Sequence, residues 1–241
     1  MVTDFLKNFR LSKEVDMKTI CIAGHCCSGK TTAIGLMAQH LPNSIAVRSE
    51  NLLAAALLNH RKEFEKFYGI PLNIENPYES YRHVLNNASV ENVKIYCQFL
   101  DVLAPFLENK MEEAVGEKRY GKDFILVEYV MVPIFKMWRY ADCRVMITSS
   151  KELRETKWRE RAIAKGSYNE NDFHHYVREA ALTEITTNAS NIDVTIENKY
   201  DENFEKDLVW LCQNLRAAQK NLKIISSIRN TYRNQCFRRC F

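Results

Sequence analysis

Ile20-Cys21-Ile22-Ala23-Gly24-His25-Cys26-Cys27-Ser28-Gly29-Lys30-Thr31-Thr32 decides the fold of this 241-residue chain. Four apolar residues in succession read as a buried strand, and Gly24 lets the chain leave its end sharply. From Gly24 to Thr31 the spacing is G-x-x-x-x-G-K-[ST], a loop whose backbone N–H groups converge on an anion at the positive end of the next helix. Gly29 removes a side chain where the backbone must approach a phosphate. Lys30 adds a mobile charge for β- and γ-phosphates, and Thr31 offers a hydroxyl to Mg²⁺. The candidate binding positions are therefore Gly24, Cys27, Ser28, Gly29, Lys30, Thr31 and Thr32, and the ligand they imply is a nucleoside triphosphate.

Outward from the loop, Ile34, Met37, Ala38 and Leu41 recur at helical spacing until Pro42 stops the helix. A short strand is expected at 45–47, then a helix that Ser49 can cap and that carries the apolar run 52–58. Residues 69–88 read as irregular structure around a short helix. A long helix follows, with Ser89 as its cap, which Pro105 can kink. Further strands are expected at 124–132, 143–148 and 192–197. They are separated by a charged helix from 151 to about 165, a Gly166-Ser167 break and a second polar helix to about 186. A helix from about 203 to 218 closes the pattern. Continuous apolar strands alternating with helices imply an α/β fold, a five-stranded parallel sheet covered on both faces. Ligands of such sheets bind beyond the carboxyl ends of the strands, so the residues there are the ones to inspect.

Composition places no obstacle before this reading. The chain is 46% hydrophobic and 27% charged, with a net charge of +4, too mild to point to nucleic acid. Its longest apolar run falls far short of the roughly 18 residues of a membrane span. Asp4 near the start and the lack of a long apolar stretch there speak against a secretory signal. The eight cysteines show no C-x-x-C spacing, and two of them, Cys26 and Cys27, lie inside the loop. A disulfide there would restrict a loop that must wrap its ligand, so a reducing, cytoplasmic compartment is expected.

At the strand ends, Glu50 opens the helix after the second strand. It is either an acid favoured by the helix dipole or a carboxylate facing Lys30 that takes the proton of an acceptor hydroxyl. Glu128 interrupts the apolar third strand, a costly placement unless a cation or metal meets it, and is the candidate to order Mg²⁺ with Thr31. Among the charges of the 151–165 helix, Arg161 is singled out as the cation over a migrating phosphoryl group. His174 and His175, adjacent on a helix and without a matching ligand set, read as exposed, and His25 reads as a loop position of free identity. Asn198-Lys199-Tyr200-Asp201 matches N-K-x-D, a guanine-reading motif. No Asp-x-x-Gly accompanies it, so base choice between ATP and GTP stays open and a switch GTPase is not supported.

Together these residues resemble dephospho-CoA kinase, of the nucleoside-phosphate kinase branch of the phosphate-loop fold. The resemblance spans about residues 17–215. Val47-Arg48-Ser49-Glu50 falls where that family ends a strand in an Asp acting on the acceptor hydroxyl. Leu126-Val127-Glu128, Asp142-Cys143-Arg144-Val145 and Asp193-Val194-Thr195-Ile196-Glu197-Asn198 look like its later strands. Arg161 matches the lid arginine, and Asn198 enters the nucleotide-base loop. The departures fall on the acceptor side: Val130 replaces a Pro, Ile134 a Glu, and Ala104-Pro105 a His-Pro pair. The resemblance implies an ATP- and Mg²⁺-dependent small-molecule kinase, with dephospho-CoA as acceptor. Lys30, Glu50 and Arg161 would be catalytic, 60–118 a helical acceptor-binding region and 152–187 a lid. A nucleoside or nucleoside-monophosphate kinase, or a nucleotide-binding regulator without turnover, is the alternative. Residues 1–16 read as a polar extension. Residues 220–241, basic and without an acid, read as a solvated or docked terminal helix, an anionic partner being the other reading.

Overall fold

The computed structural model describes residues 17–48, 50–85, 89–164, 166, 168–169 and 174–239, excepting the side chains of Glu50, Asn51, His174 and 221–239. The extension 1–16, the cap expected at Ser49, Ser167 of the expected break, and the basic side chains of the tail beyond Lys220 lie outside the described residues.

Five strands form one parallel sheet: β1 (Lys18–Gly24), β2 (Ser44–Arg48), β3 (Phe124–Glu128), β4 (Cys143–Thr148) and β5 (Val194–Glu197). Their order is β2-β3-β1-β4-β5. The apolar runs are explained by burial on two faces, because alternate residues of one strand enter different cores. Ile20, Ile22, Leu126 and Val145 pack with α1 (Lys30–His40) and α9 (Glu202–Arg239) through Ile34, Met37, Leu208 and Leu211. Cys21, Ala23, Ile125 and Val127 face the opposite core, with Ala56 and Leu57 of α2 (Glu50–Asn59), Phe64 of α3 (Arg61–Tyr68), Tyr81 of α4 (Pro77–Val84), and Phe99, Leu103 and Leu107 of α5 (Val90–Lys118). Each large side chain so buried contributes roughly 1.5–3 kcal/mol.

Ion pairs pin the entry edge of the sheet. Lys18 is 3.0 Å from Asp142, whose other oxygen accepts the Thr19 N–H at 2.9 Å. Arg144 donates three times to Asp193, from its backbone N–H and Nε at 2.8 Å and from Nη2 at 3.1 Å, tying β4 to the start of β5. Ser89 caps α5 by accepting the Asn92 N–H at 3.0 Å, and the helix continues through Pro105 for 29 residues.

Three expected boundaries are corrected. β3 ends at Glu128 rather than near 132; the chain turns through Tyr129, Val130 and Met131 into a 3₁₀ turn (Val132–Ile134) and α6 (Lys136–Tyr140). Those turn residues are buried against the core, so the apolar run outlasts the strand. β5 begins at Val194 rather than 192, and α9 runs to Arg239 rather than stopping near 218. Between β4 and β5 the chain makes α7 (Lys151–Ala164) and α8 (His174–Thr187), the latter packed on α5. No helix among the described residues is long and apolar enough to cross a membrane.

Candidate functional site

β1 delivers its loop at the centre of the carboxyl edge, where the strand order switches from β3 to β4. Two glycines make the loop fit. At Gly24 (φ 151°) a Cβ would lie 2.3 Å from the Ile147 carbonyl oxygen; at Gly29 (φ 98°) it would lie 2.2 Å from Asn198 Nδ2. The loop is thus pressed against β4 and the segment after β5. Asn198 is 2% exposed and hydrogen-bonded there through Nδ2, Oδ1 and its backbone N–H. Its Nδ2 donates to the Ser28 carbonyl at 2.9 Å, its Oδ1 accepts the Tyr200 N–H at 2.7 Å, and its own N–H donates to Thr148 at 2.7 Å. The Tyr200 hydroxyl donates to the Cys27 carbonyl. The N-K-x-D segment therefore braces the loop from behind. Inside the loop, the His25 carbonyl accepts both the Ser28 N–H at 3.3 Å and the Lys30 ammonium at 2.7 Å. Burial pushes the Lys30 pKa down, while Cys26 and Glu128 act the other way.

In front of the loop lies a cavity of about 320 Å³. Cys27, Gly29, Lys30, Thr31 and Thr32 line one side, Glu128 at the end of β3 another, and Trp158 and Arg161 of α7 with His175 and Arg178 of α8 a third; Tyr78 and Arg82 of α4 also line it. Gly24 and Ser28 of the loop, and Asn198 behind it, are not in this lining. Glu50 starts α2 two residues beyond Arg48, which is in register with Glu128, and its side chain lies outside the described residues. Among the described residues, Lys30, Arg82, Arg161 and Arg178 share this lining with one carboxylate, Glu128. That imbalance suits a polyanion. The oxygen donors of Thr31 and Glu128, on one cavity beside the glycine-cradled loop, suit Mg²⁺.

Arg178 was not singled out by sequence. Its Nη1 donates to the Tyr78 hydroxyl at 3.2 Å, and its Nε has no partner among the described residues. Negative charge on the neighbouring Cys26 sulfur raises its pKa above the ordinary arginine value, outweighing burial. Cys26 and Cys27 are free thiols, and burial raises the pKa of Cys27.

Both histidine readings are corrected. His175 is 9% exposed and stacks on Trp158, with ring centroids 5.1 Å apart and planes 19° from parallel. Burial lowers its pKa. The His174 side chain lies outside the described residues, and those residues contain no cluster able to hold a metal through His, Cys, Asp and Glu alone. His25 is not a free position: both ring nitrogens lie within 3.1 Å of the Thr186 hydroxyl, and Nδ1 is 3.6 Å from Glu179. Burial lowers its pKa and Arg154 adds to the effect. The loop is therefore tied to α8 in front as well as to β5 behind.

Fold and loop together define a phosphate-loop α/β protein. No family model and no curated protein sequence matches the chain. Among solved structures its fold is similar to that of TT1252 from Thermus thermophilus, with a TM-score of 0.56 at 14% identity, covering 83% of this chain and 97% of that one. A dephospho-CoA kinase from Campylobacter jejuni also matches, with a TM-score of 0.47 at 14% identity, covering 83% of this chain and 98% of that one.

Proposed function

We propose that this protein is an ATP- and Mg²⁺-dependent small-molecule kinase, and that its acceptor is the ribose 3′-hydroxyl of dephospho-CoA. The observation that carries the reading is the convergence of Lys30, Glu128, Arg161 and Arg178 on one cavity in front of the loop. The loop amides and Lys30 hold the triphosphate, and Arg161 and Arg178 balance charge on the phosphoryl group as it moves. Thr31 and Glu128 hold Mg²⁺, which when bound neutralises the phosphate oxygens. Glu50 receives the proton of the acceptor hydroxyl. The acceptor oxygen bonds to the γ-phosphorus as the bond to the bridging oxygen breaks, and ADP leaves. The helices 152–187 act as a lid that keeps water from that phosphorus, and helices within 60–118 shape the acceptor side.

The choice of acceptor rests on the sequence resemblance, and its test is a panel of dephospho-CoA, nucleosides and nucleoside monophosphates with ATP and GTP as donors. Transfer to dephospho-CoA, lost in Lys30→Ala, is the expected result. Transfer to a nucleoside monophosphate alone would replace the acceptor, and tight nucleotide binding without transfer to any acceptor would replace the kinase reading with a regulatory one.

A further inference from the structure

The phosphate cavity carries two nucleophiles that phosphoryl transfer does not use. Cys26 and Cys27 are free thiols, both partly exposed and both in its lining. Lys30, Arg82, Arg161 and Arg178 line the same space. Arg178 and Lys30 are within electrostatic reach of the Cys26 sulfur, and Arg161 is the strongest cation at Cys27. Cations beside a thiol favour the thiolate, the form that attacks a disulfide.

No other described cysteine combines access with positive surroundings. Cys21, Cys143 and Cys212 are buried, and burial pushes the pKa of Cys21 and of Cys212 up to about 12. Cys97 on α5 is partly exposed, but burial and the acids Asp101 and Glu184 raise its pKa. A second cavity, of about 610 Å³, lies between α7 and α8 on the other side of the Trp158–His175 stack, whose rings line both. Arg154 and Glu179 pair within its lining, and no described cysteine reaches it. Among the described residues, thiol and surplus cation therefore coincide at the phosphate loop. Of the two thiols there, Cys26 is the better placed to react, since it lies by Arg178 and Lys30 while burial raises the pKa of Cys27.

We propose that the phosphate loop is a thiol-modification site, where Cys26 exchanges with an anionic peptide disulfide of the glutathione class and the attached peptide excludes the nucleotide. The Cys26 thiolate, its proton released to solvent, attacks one sulfur of the disulfide. A bond forms from Sγ to that sulfur, the S–S bond of the disulfide breaks, and the other half leaves as a thiolate that takes up a proton. The protein thiol is oxidised and half of the disulfide is reduced. Each glutathionyl half carries more carboxylates than ammonium groups, so the cations that suit a triphosphate draw it to the same place. Excess thiol reverses the exchange, so the loop is open to nucleotide under reducing conditions and blocked under oxidising ones. That consequence rests on the nucleotide-binding reading, whereas the exchange at Cys26 does not.

The test treats the reduced full chain with glutathione disulfide or with neutral hydroxyethyl disulfide, with and without a non-hydrolysable ATP analogue and Mg²⁺. Peptide mass mapping follows each position. The expected result is modification of Cys26 by glutathione disulfide at least about tenfold faster than of Cys97. Glutathione disulfide should gain on the neutral reagent at Cys26 but not at Cys97, and added salt should remove that gain. The analogue should protect Cys26. By calorimetry, analogue affinity should fall at least about tenfold on modification and return with dithiothreitol, whereas treated and untreated Cys26→Ser should bind alike. Modification of Cys27 in place of Cys26, or of Cys26 no faster than Cys97, overturns the proposal. Modified Cys26 with unchanged analogue affinity overturns the exclusion of nucleotide. Rapid exchange at Cys26 in a parent protein that binds no analogue upholds the modification site and overturns the nucleotide-binding reading.

Discussion

The two cavities on either side of the Trp158–His175 stack share a wall and differ in almost everything else. On the phosphate side, the described residues bring four cations and one carboxylate together. On the other, Arg154 and Glu179 answer one another within a buried pair. The first arrangement gathers positive charge around a space that an anionic ligand fits, whereas the second uses a buried pair to hold α7 to α8. Residues of the same type therefore serve different ends: Arg161 is exposed at the mouth of the phosphate cavity, and Arg154, seven positions earlier on α7, is part of the fold.

Arg154→Ala should show the largest effect on stability. It leaves Glu179 buried without its cation and removes the donor to the Ser149 carbonyl, a loss of about 3–5 kcal/mol in urea denaturation. A loss no greater than that of Arg161→Ala would erase the distinction between the two sides. Lys30→Ala should leave the denaturation midpoint nearly unchanged and lower transfer by about 10²–10³-fold, read in a coupled ADP-release assay. Full turnover in that variant would break the phosphate-side assignment. Asn198→Ala removes the brace behind the loop and leaves the Ser28 carbonyl without its donor. The cost should be about 1–3 kcal/mol of stability together with weaker binding of an ATP analogue by calorimetry; a change in base preference without a change in stability would instead restore the guanine-reading role.

The smallest effect is in pH. Burial depresses the His175 pKa below its ordinary 6.5, so the unfolded chain takes up the proton more readily. Stability from this group is complete above about pH 6.5 and declines as pH falls from there toward the folded value, by at most about 1.4 kcal/mol per pH unit. Glu179 and Glu155 oppose the shift, and Arg178 and Arg154 reinforce it. His175→Gln should flatten the decline between pH 6.5 and 5 in urea titrations. An unchanged slope would mean that the wall between the cavities does not carry the titration.

The strand, loop and helix from Lys18 to His40 were legible in the sequence because two independent signals coincide there. One is an apolar run of strand length, and the other is a glycine spacing that only a phosphate-cradling turn requires. Glu128 was legible for the opposite reason, as a polar break in an apolar run. The end of β3 was not, because burial and strand geometry leave the same hydrophobic signature and only the backbone separates them. Arg178, His175 and Arg154 were hidden by polar helices: on α7 and α8 the charged residues surround the axis, and no periodicity tells which of them faces inward. The histidine at position 25 was misread because the loop pattern constrains backbone shape and is silent about the side chains it points at α8.

The sheet order also bears on how the chain is made. β1 is central, yet its partners are β3 and β4, with Lys18 beside Phe124 and Ile20 beside Cys143. During synthesis at roughly 5–20 residues per second, the strand that carries the phosphate loop must wait several seconds or more for any neighbour. Until then Ile20, Cys21 and Ile22 are an unpaired apolar segment of the nascent chain, the kind of segment that chaperones cover. Moving β1 by circular permutation to follow β3 would shorten that wait. It should raise the yield of soluble protein when chaperones are limiting, while leaving the finished sheet the same.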